Sequence, residues 1–400
     1  MKKLFLLGSL LFISTPSIVY AQNRSIHFEE GSWRDIQKKA AKENKLIFLD
    51  AFASWCGPCK WMAKNVFTND TVADYFNSHF VCAKIDMEIG EGKDIAKQLQ
   101  VHAYPNLLFT DATGNMVHRS VGSRPVQEFI ALAEDAQNSE KAYSTLLKKY
   151  EQGIRTPEFM LAFLRATEDA GLDTKAPTNA YFATIKDREI LKPFNWSILY
   201  NYLDDMNNLK FKYLLNNLEK FETIYTKDSV SACIYRVYED TCNRIIRNPK
   251  ANKQSYFALK ENIQKSKFRE SGKLLAYTDL AYYRSQNDWE QYATSAENII
   301  LHYLPENKEQ QLEQINSICW TIFEKVASEK TMTKSLLWGD ALLKSSEAPY
   351  MDTYANILFK LGKKQDAIQT EEKVIALLKT KPASGFTVED AEKTLEGFKK

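Results

Sequence analysis

Cysteine is scarce here, six residues in 400, too few for a chain held together by disulfides. Histidine is scarcer still, at five, and its positions form no metal-binding or catalytic-triad signature. Net charge is almost absent: 53 basic against 51 acidic residues leave +2, and Lys2 and Lys3 fall in a segment expected to be removed. A chain so close to neutral has no electrostatic footprint for nucleic acid or an anionic membrane as its main partner. Long apolar runs are also missing. Beyond the N-terminus nothing approaches the ~20 apolar residues that a membrane-spanning helix needs, so a transmembrane protein is not expected. The segment EIGEGK from Glu88 lacks the glycine spacing and the Ser/Thr of a phosphate-binding loop.

What is present begins with MKKLFLLGSLLFISTPSIVYAQ, a short basic start, an apolar run from Leu4 to Ile13, and small or permissive residues before a cut expected after Ala21. Residues 1–21 therefore read as a secretory signal peptide. A retained anchor is the alternative, but Ser14, Thr15, Pro16 and Ser17 interrupt the run, and no cysteine near the cut offers a site for lipid. Export places the cysteines where disulfides persist. An apolar content of 44% over this length supports two or more domains.

From residue 26 to 138 strand and helix patterns alternate. Lys45 to Ala53, KLIFLDAFA, is a short apolar run suited to a strand buried on both faces, as is FVCAKIDM from Phe80. WRDIQKKAAKEN, CKWMAKNVF, DTVADYFNSHF and KDIAKQLQV read as helices around them. YPNLLFTDATGNMVHRSVG then reads as two strands turning at Thr113-Gly114-Asn115, and RPVQEFIALAEDA closes as a helix. The expected result for residues 22–138 is an α/β domain with a small central sheet covered on both faces.

Strand signals stop after about Asn138, and residues 139–400 are expected to be all helical. In RTPEFMLAFLRATEDAG, Thr156 can cap, Pro157 suits a first helical turn, Phe159, Met160, Phe163 and Leu164 form an apolar face, and Gly171 can terminate. ILFKLGKKQDAIQTEEKVIALL from Ile357 resembles parts of a tetratricopeptide unit at Leu358, Gly362 and Ala367. A similar layout from Tyr282 lacks the glycine. The region is read as a tetratricopeptide-like array, with an irregular helical bundle as the alternative.

Chemistry concentrates in Asp50 to Lys60, DAFASWCGPCK. A buried strand ends, a turn follows, and Cys56 falls at a helix start, where free backbone amides and the helix dipole stabilise a thiolate, the attacking species in disulfide exchange. Cys59 lies one turn on and on the same face, where its sulfur can close a disulfide or resolve a mixed one. Pro58 costs little, because first-turn amides lack helical partners. A zinc site would need two further ligands, and no second pair stands at suitable spacing.

These residues resemble the thioredoxin family: WCGPCK matches its active site residue for residue, and the strand, motif, strand and hairpin arrive in its order. The resemblance implies a thioredoxin fold and a thiol:disulfide oxidoreductase whose only cofactor is the Cys56–Cys59 pair. It casts Asp50, six positions before Cys56, as the buried carboxylate assisting proton transfer from Cys59. It casts Pro105 as the cis-proline facing the site, with Tyr104 offering backbone hydrogen bonds to a substrate strand beside Gly57 and Pro58. Trp55 either packs or shapes that surface.

NVFTNDTVADYF looks more like the C-terminal periplasmic domain of DsbD-type interchange proteins than a free thioredoxin, since Lys64 replaces the proline that thioredoxins carry five residues after the second cysteine. Asn106 replaces the usual threonine after the proline. Cys82 aligns with the family's lysine near the buried carboxylate, while Lys84 lies two residues on and on the same strand face. Cys82 and Cys319 read as core. Cys233 and Cys242 could bridge only across a helix break.

The resemblance thus implies a periplasmic dithiol reductase. Its Gly-Pro dipeptide is that of reducing thioredoxins, near about −270 mV, rather than of strong oxidants near about −120 mV. It also implies a DsbD-type membrane transporter as electron donor and disulfide-bearing envelope proteins as substrates. The helical region would choose among them. The alternative is a scaffold or peptide-binding helical-repeat protein with an accessory redox domain.

Overall fold

The structure, a computed structural model, describes residues 24–248 and 253–400. The expected signal peptide lies outside the described residues. The chain divides into two compact units, the first reaching Tyr181 and the second running from Phe182 to Lys400.

In the first unit, α1 (Trp33–Glu43) begins where the Ser32 side chain accepts the Asp35 amide and ends at Asn44 in the left-handed conformation. Trp33, Ile36 and Ala40, spaced by three and four, make its buried face. Then follow β1 (Leu46–Phe52), α2 (Gly57–Asn65), α3 (Asp70–His79), β2 (Phe80–Asp86), α4 (Gly92–Gln98), β3 (Asn106–Thr110), β4 (Met116–Val121) and α5 (Val126–Gln137). The strand order is β2-β1-β3-β4, with β2 parallel to β1 across the α2–α3 crossover and the β3–β4 hairpin antiparallel. This is the expected mixed sheet, and the hairpin turns where Asp111 accepts the amides of Thr113 and Asn115.

Because β1 is central, its alternate side chains feed two cores. Ile47, Leu49 and Ala51 meet α1 and α4 on one face. On the other, Phe48 meets Met62 of α2, Phe76 of α3 and Phe129 of α5. The Phe48 ring lies 4.9 Å from Phe76, 5.3 Å from Phe129 and 5.4 Å from Phe109, centroid to centroid. Phe48→Ala should therefore cost about 3–5 kcal/mol, because several rings would line the cavity left behind. Hydrogen exchange at the β1 and β3 amides measures this, and a loss below about 1 kcal/mol would contradict the packing account.

Two helices beyond residue 138 join this unit: α6 (Tyr143–Glu151) and α7 (Pro157–Asp169). The Tyr143 amide donates to His118 Nδ1 on β4 at 3.1 Å, and Arg124 reaches Asp169 at 2.9 Å. The α7 start is as expected, with the Thr156 side chain accepting the Phe159 amide ahead of Pro157.

Among the described residues of the second unit the regular elements are all helices. Ala348–Lys360 and Lys364–Thr380 pair through a short turn in which Gly362 takes φ +74°. Ser271–Ser285 and Trp289–His302 pair likewise, and there Asn287, at φ +54°, takes the left-handed position that lacks a glycine. The helix Lys227–Arg247 runs unbroken through Cys233 and Cys242, so the bridge that a helix break would have allowed is not formed. Both thiols are buried and pushed up by that burial, to about 12 and about 11, and Cys319 is buried likewise, to about 12. No described helix is long and apolar enough to cross a membrane.

Candidate active site

The site forms where β1 gives way to α2. The Cys56 amide donates to Ala53 O at 3.0 Å, turning the chain after the strand, and Cys56 becomes the N-cap of α2. Its Sγ accepts the Cys59 amide at 3.1 Å, so a first-turn donor of the helix points at the sulfur. Cys56 and Cys59 form a disulfide with Cα atoms 5.3 Å apart. The pair packs with Ala53 against Phe52 and Tyr104, and both cysteines are nearly closed off, at 2% and 3% exposure. Gly57 and Pro58 between them are exposed.

Asp50 lies on β1 two residues beyond Phe48, on the sheet face that α2 covers. Met62 of α2 packs on that face, and Cys59 is one turn before Met62 on the same side of the helix. Asp50 is fully buried, and its Oδ1 has no hydrogen-bond partner. Lys84, directly opposite in the β1–β2 register, donates to Oδ2. The ammonium also stands 4.3 Å from the Phe52 ring centroid, 5.4 Å from Phe67 and 5.7 Å from Phe28, so aromatic faces fill its other sides. Burial raises the Asp50 carboxyl above the usual carboxylate range, while the charge and hydrogen bond of Lys84 act in the opposite direction.

Cys82 occupies the place aligned with the family's lysine, and the register shows that Lys84, two residues on and on the same face, is the residue that meets Asp50. Cys82 stands opposite Phe48 within the apolar layer, its thiol pushed up by burial, and the ammonium at the carboxylate comes from Lys84.

Tyr104-Pro105 is cis, and Pro105 O accepts the Gly122 amide at 2.9 Å. Tyr104 is half-buried beside the disulfide, its phenol raised by burial and then by Glu88 and Asp86. Asn106 is buried, and neither atom of its side-chain amide has a partner. Trp55 is 66% exposed, so it is not a core residue. Its ring stands edge-on to Tyr104 at 5.9 Å, and its Nε1 donates to Glu88 at 2.9 Å. Glu88 was passed over in the sequence because it sits in the loop after β2, 33 residues from Trp55, where no periodic pattern marks it.

Residues 33–137 match a family described as thioredoxin-like domain. The chain is 32% identical over 95 residues to thioredoxin-2 of Saccharomyces cerevisiae, covering 24% of this chain and 85% of that protein. It is 28% identical over 123 residues to the thiol:disulfide interchange protein DsbD of Tatumella citrea, covering 30% of this chain and 21% of that one. It spans only 47% of a further relative, thioredoxin-2 of Pyricularia oryzae. The solution structure of a candidate disulphide-isomerase from Bacteroides thetaiotaomicron is 47% identical, matching 30% of this chain and 99% of that one at a TM-score of 0.28. With a yeast thioredoxin covered over most of its length at this identity, the chain belongs to the thioredoxin family through its first domain.

Proposed function

We propose that the protein is an exported thiol:disulfide oxidoreductase that works as a dithiol reductase. The observation that carries this reading is the Cys56–Cys59 disulfide at the start of α2, with the Cys56 sulfur accepting a first-turn amide. In the reduced protein that amide and the helix dipole favour a Cys56 thiolate. The thiolate attacks one sulfur of a partner's disulfide, and the other sulfur leaves as a thiolate and takes a proton. Cys59, its proton passed toward Asp50, then attacks the Cys56 sulfur of the mixed disulfide. The partner departs with two thiols, and two electrons have moved from the protein, which is left as the disulfide. Trp55, Gly57, Pro58, Tyr104 and Pro105 are read as the surface that meets the partner chain.

In the same reading residues 1–21 direct export to the periplasm, residues 22–138 carry the chemistry, and residues 139–400, whose first two helices α6 and α7 pack within the first unit, supply a tetratricopeptide-like array that selects disulfide-bearing envelope proteins. A DsbD-type membrane transporter returns the protein to the dithiol form. The pairing of successive helices across short turns supports the array.

The test is dithiothreitol-driven reduction of insulin by the purified chain. Catalysed turnover well above the dithiothreitol background is expected. A rate equal to background would leave the scaffold as the better account.

A further inference from the structure

One side of α2 is used up by packing. Cys59 and Met62 are buried and Ala63 half-buried, which seats the helix on the sheet. Trp61 has no part in that seating and is 46% exposed. It follows Gly57 by four residues and precedes Lys64 by three, so the three share one outward stripe. The stripe starts beside the disulfide and reaches Trp61 about 6 Å further along the helix. At Gly57 a Cβ would meet nothing within 4 Å, so the ground between disulfide and indole is open. Lys60 and Lys64, one turn apart, lie on one side of the indole along the helix, both exposed and without an acidic partner among the described residues. Elsewhere at the site the charge is opposite in sign, where Glu88 holds Trp55.

Because the cysteines are nearly closed off while Gly57 and Pro58 between them are exposed, a partner that brings its sulfur to Cys56 lays flanking residues over that exposed pair as well as beside Tyr104. From there the chain meets Trp61 on one side. We propose that this outer stripe of α2 is a docking surface for the oxidised polypeptide, selecting a cystine with a large apolar residue beside it and an acidic residue just beyond. The indole takes the apolar side chain, and Lys60 and Lys64 take the carboxylate. Tryptophan is among the residues that most often anchor a binding hot spot, and the two unpaired lysines beside it complement a carboxylate. The inference rests on the redox reading above and adds to it the chemistry of the substrate.

Three substrates test it with the full chain: the small uncharged 2-hydroxyethyl disulfide, a cystine peptide with flanking Leu and Glu, and the same peptide with flanking Gly and Lys. Trp61→Ala should raise KM for the Leu/Glu peptide roughly tenfold while leaving kcat and the small-disulfide rate within about twofold. The double variant Lys60→Glu, Lys64→Glu should reverse the preference between the two peptides. Retained small-disulfide activity shows that the variants are folded and the redox pair intact. Equal loss on all three substrates, or an unchanged KM for the Leu/Glu peptide, would overturn the docking surface while leaving the redox reading in place. A wild-type chain inert toward all three would overturn the redox reading and this inference with it.

Discussion

Replacing Cys56 by serine should reduce insulin turnover to the dithiothreitol background, because no other thiol in the first unit can take its place. Cys82 is buried in the apolar layer, with its thiol pushed far up by desolvation, so it supplies neither access nor thiolate. Cys59→Ser should behave differently. Attack by Cys56 would persist, the resolving step would be missing, and mixed disulfides would accumulate with about one partner per chain. In the reduced wild type, iodoacetamide should label Cys56 faster than Cys59, since only Cys56 occupies the N-cap. Asp50→Asn completes the series. It keeps the shape of the buried side chain but removes its capacity to take a proton, and should slow turnover by at least roughly tenfold, below the usual range for general-base catalysis. Equal labelling of the two cysteines, or full activity of Asp50→Asn, would contradict the assigned roles.

A second large effect is expected in the helical unit. Glu371 on Lys364–Thr380 is fully buried and Asp352 on Ala348–Lys360 nearly so; no donor from another residue reaches either Glu371 oxygen or Asp352 Oδ1, so a proton shared between the two carboxyls satisfies them. Burial and the Asp352 charge push the Glu371 carboxyl up to about 9, and burial also raises Asp352, with Asp390 adding repulsion. The folded state therefore keeps a proton that the unfolded chain releases above its ordinary value of 4.5. That stabilisation is fully present below the unfolded value and is lost as pH rises toward about 9. One proton held over this range makes stability decline with rising pH, so it should fall by roughly 2–3 kcal/mol at most between pH 6 and 8. Glu371→Gln cannot ionise and should show a markedly flatter profile. Guanidinium titrations followed by helical circular dichroism at the two pH values measure the slopes. Parallel slopes for wild type and variant would show that Glu371 is not protonated in the fold.

Local chemistry was legible from the chain alone. The run KLIFLDAFA, the Cys56 helix start, the hairpin turn at Thr113-Gly114-Asn115 and the Thr156-Pro157 cap depend on neighbours within a few residues, and they stand as read. What the sequence left open depends on register. Aligned by position, Cys82 took the lysine's place, yet the β1–β2 pairing sets Lys84 opposite Asp50. Shifting a strand by two residues preserves its alternation, so the hydrophobic pattern does not distinguish the two assignments.

The chain by itself determined the α/β domain followed by helices and the CGPC pair, because period, capping and turn chemistry act through contacts close in sequence. The tertiary structure alone decided which ammonium meets Asp50, that Glu88 holds Trp55, that α6 and α7 join the first unit, and that Asp352 meets Glu371. Each of these joins residues on different elements, brought together by packing of whole faces rather than by any short pattern. The unbroken helix through Cys233 and Cys242 belongs with them, since a bridge or a break fit its spacing equally well until its neighbours buried both thiols.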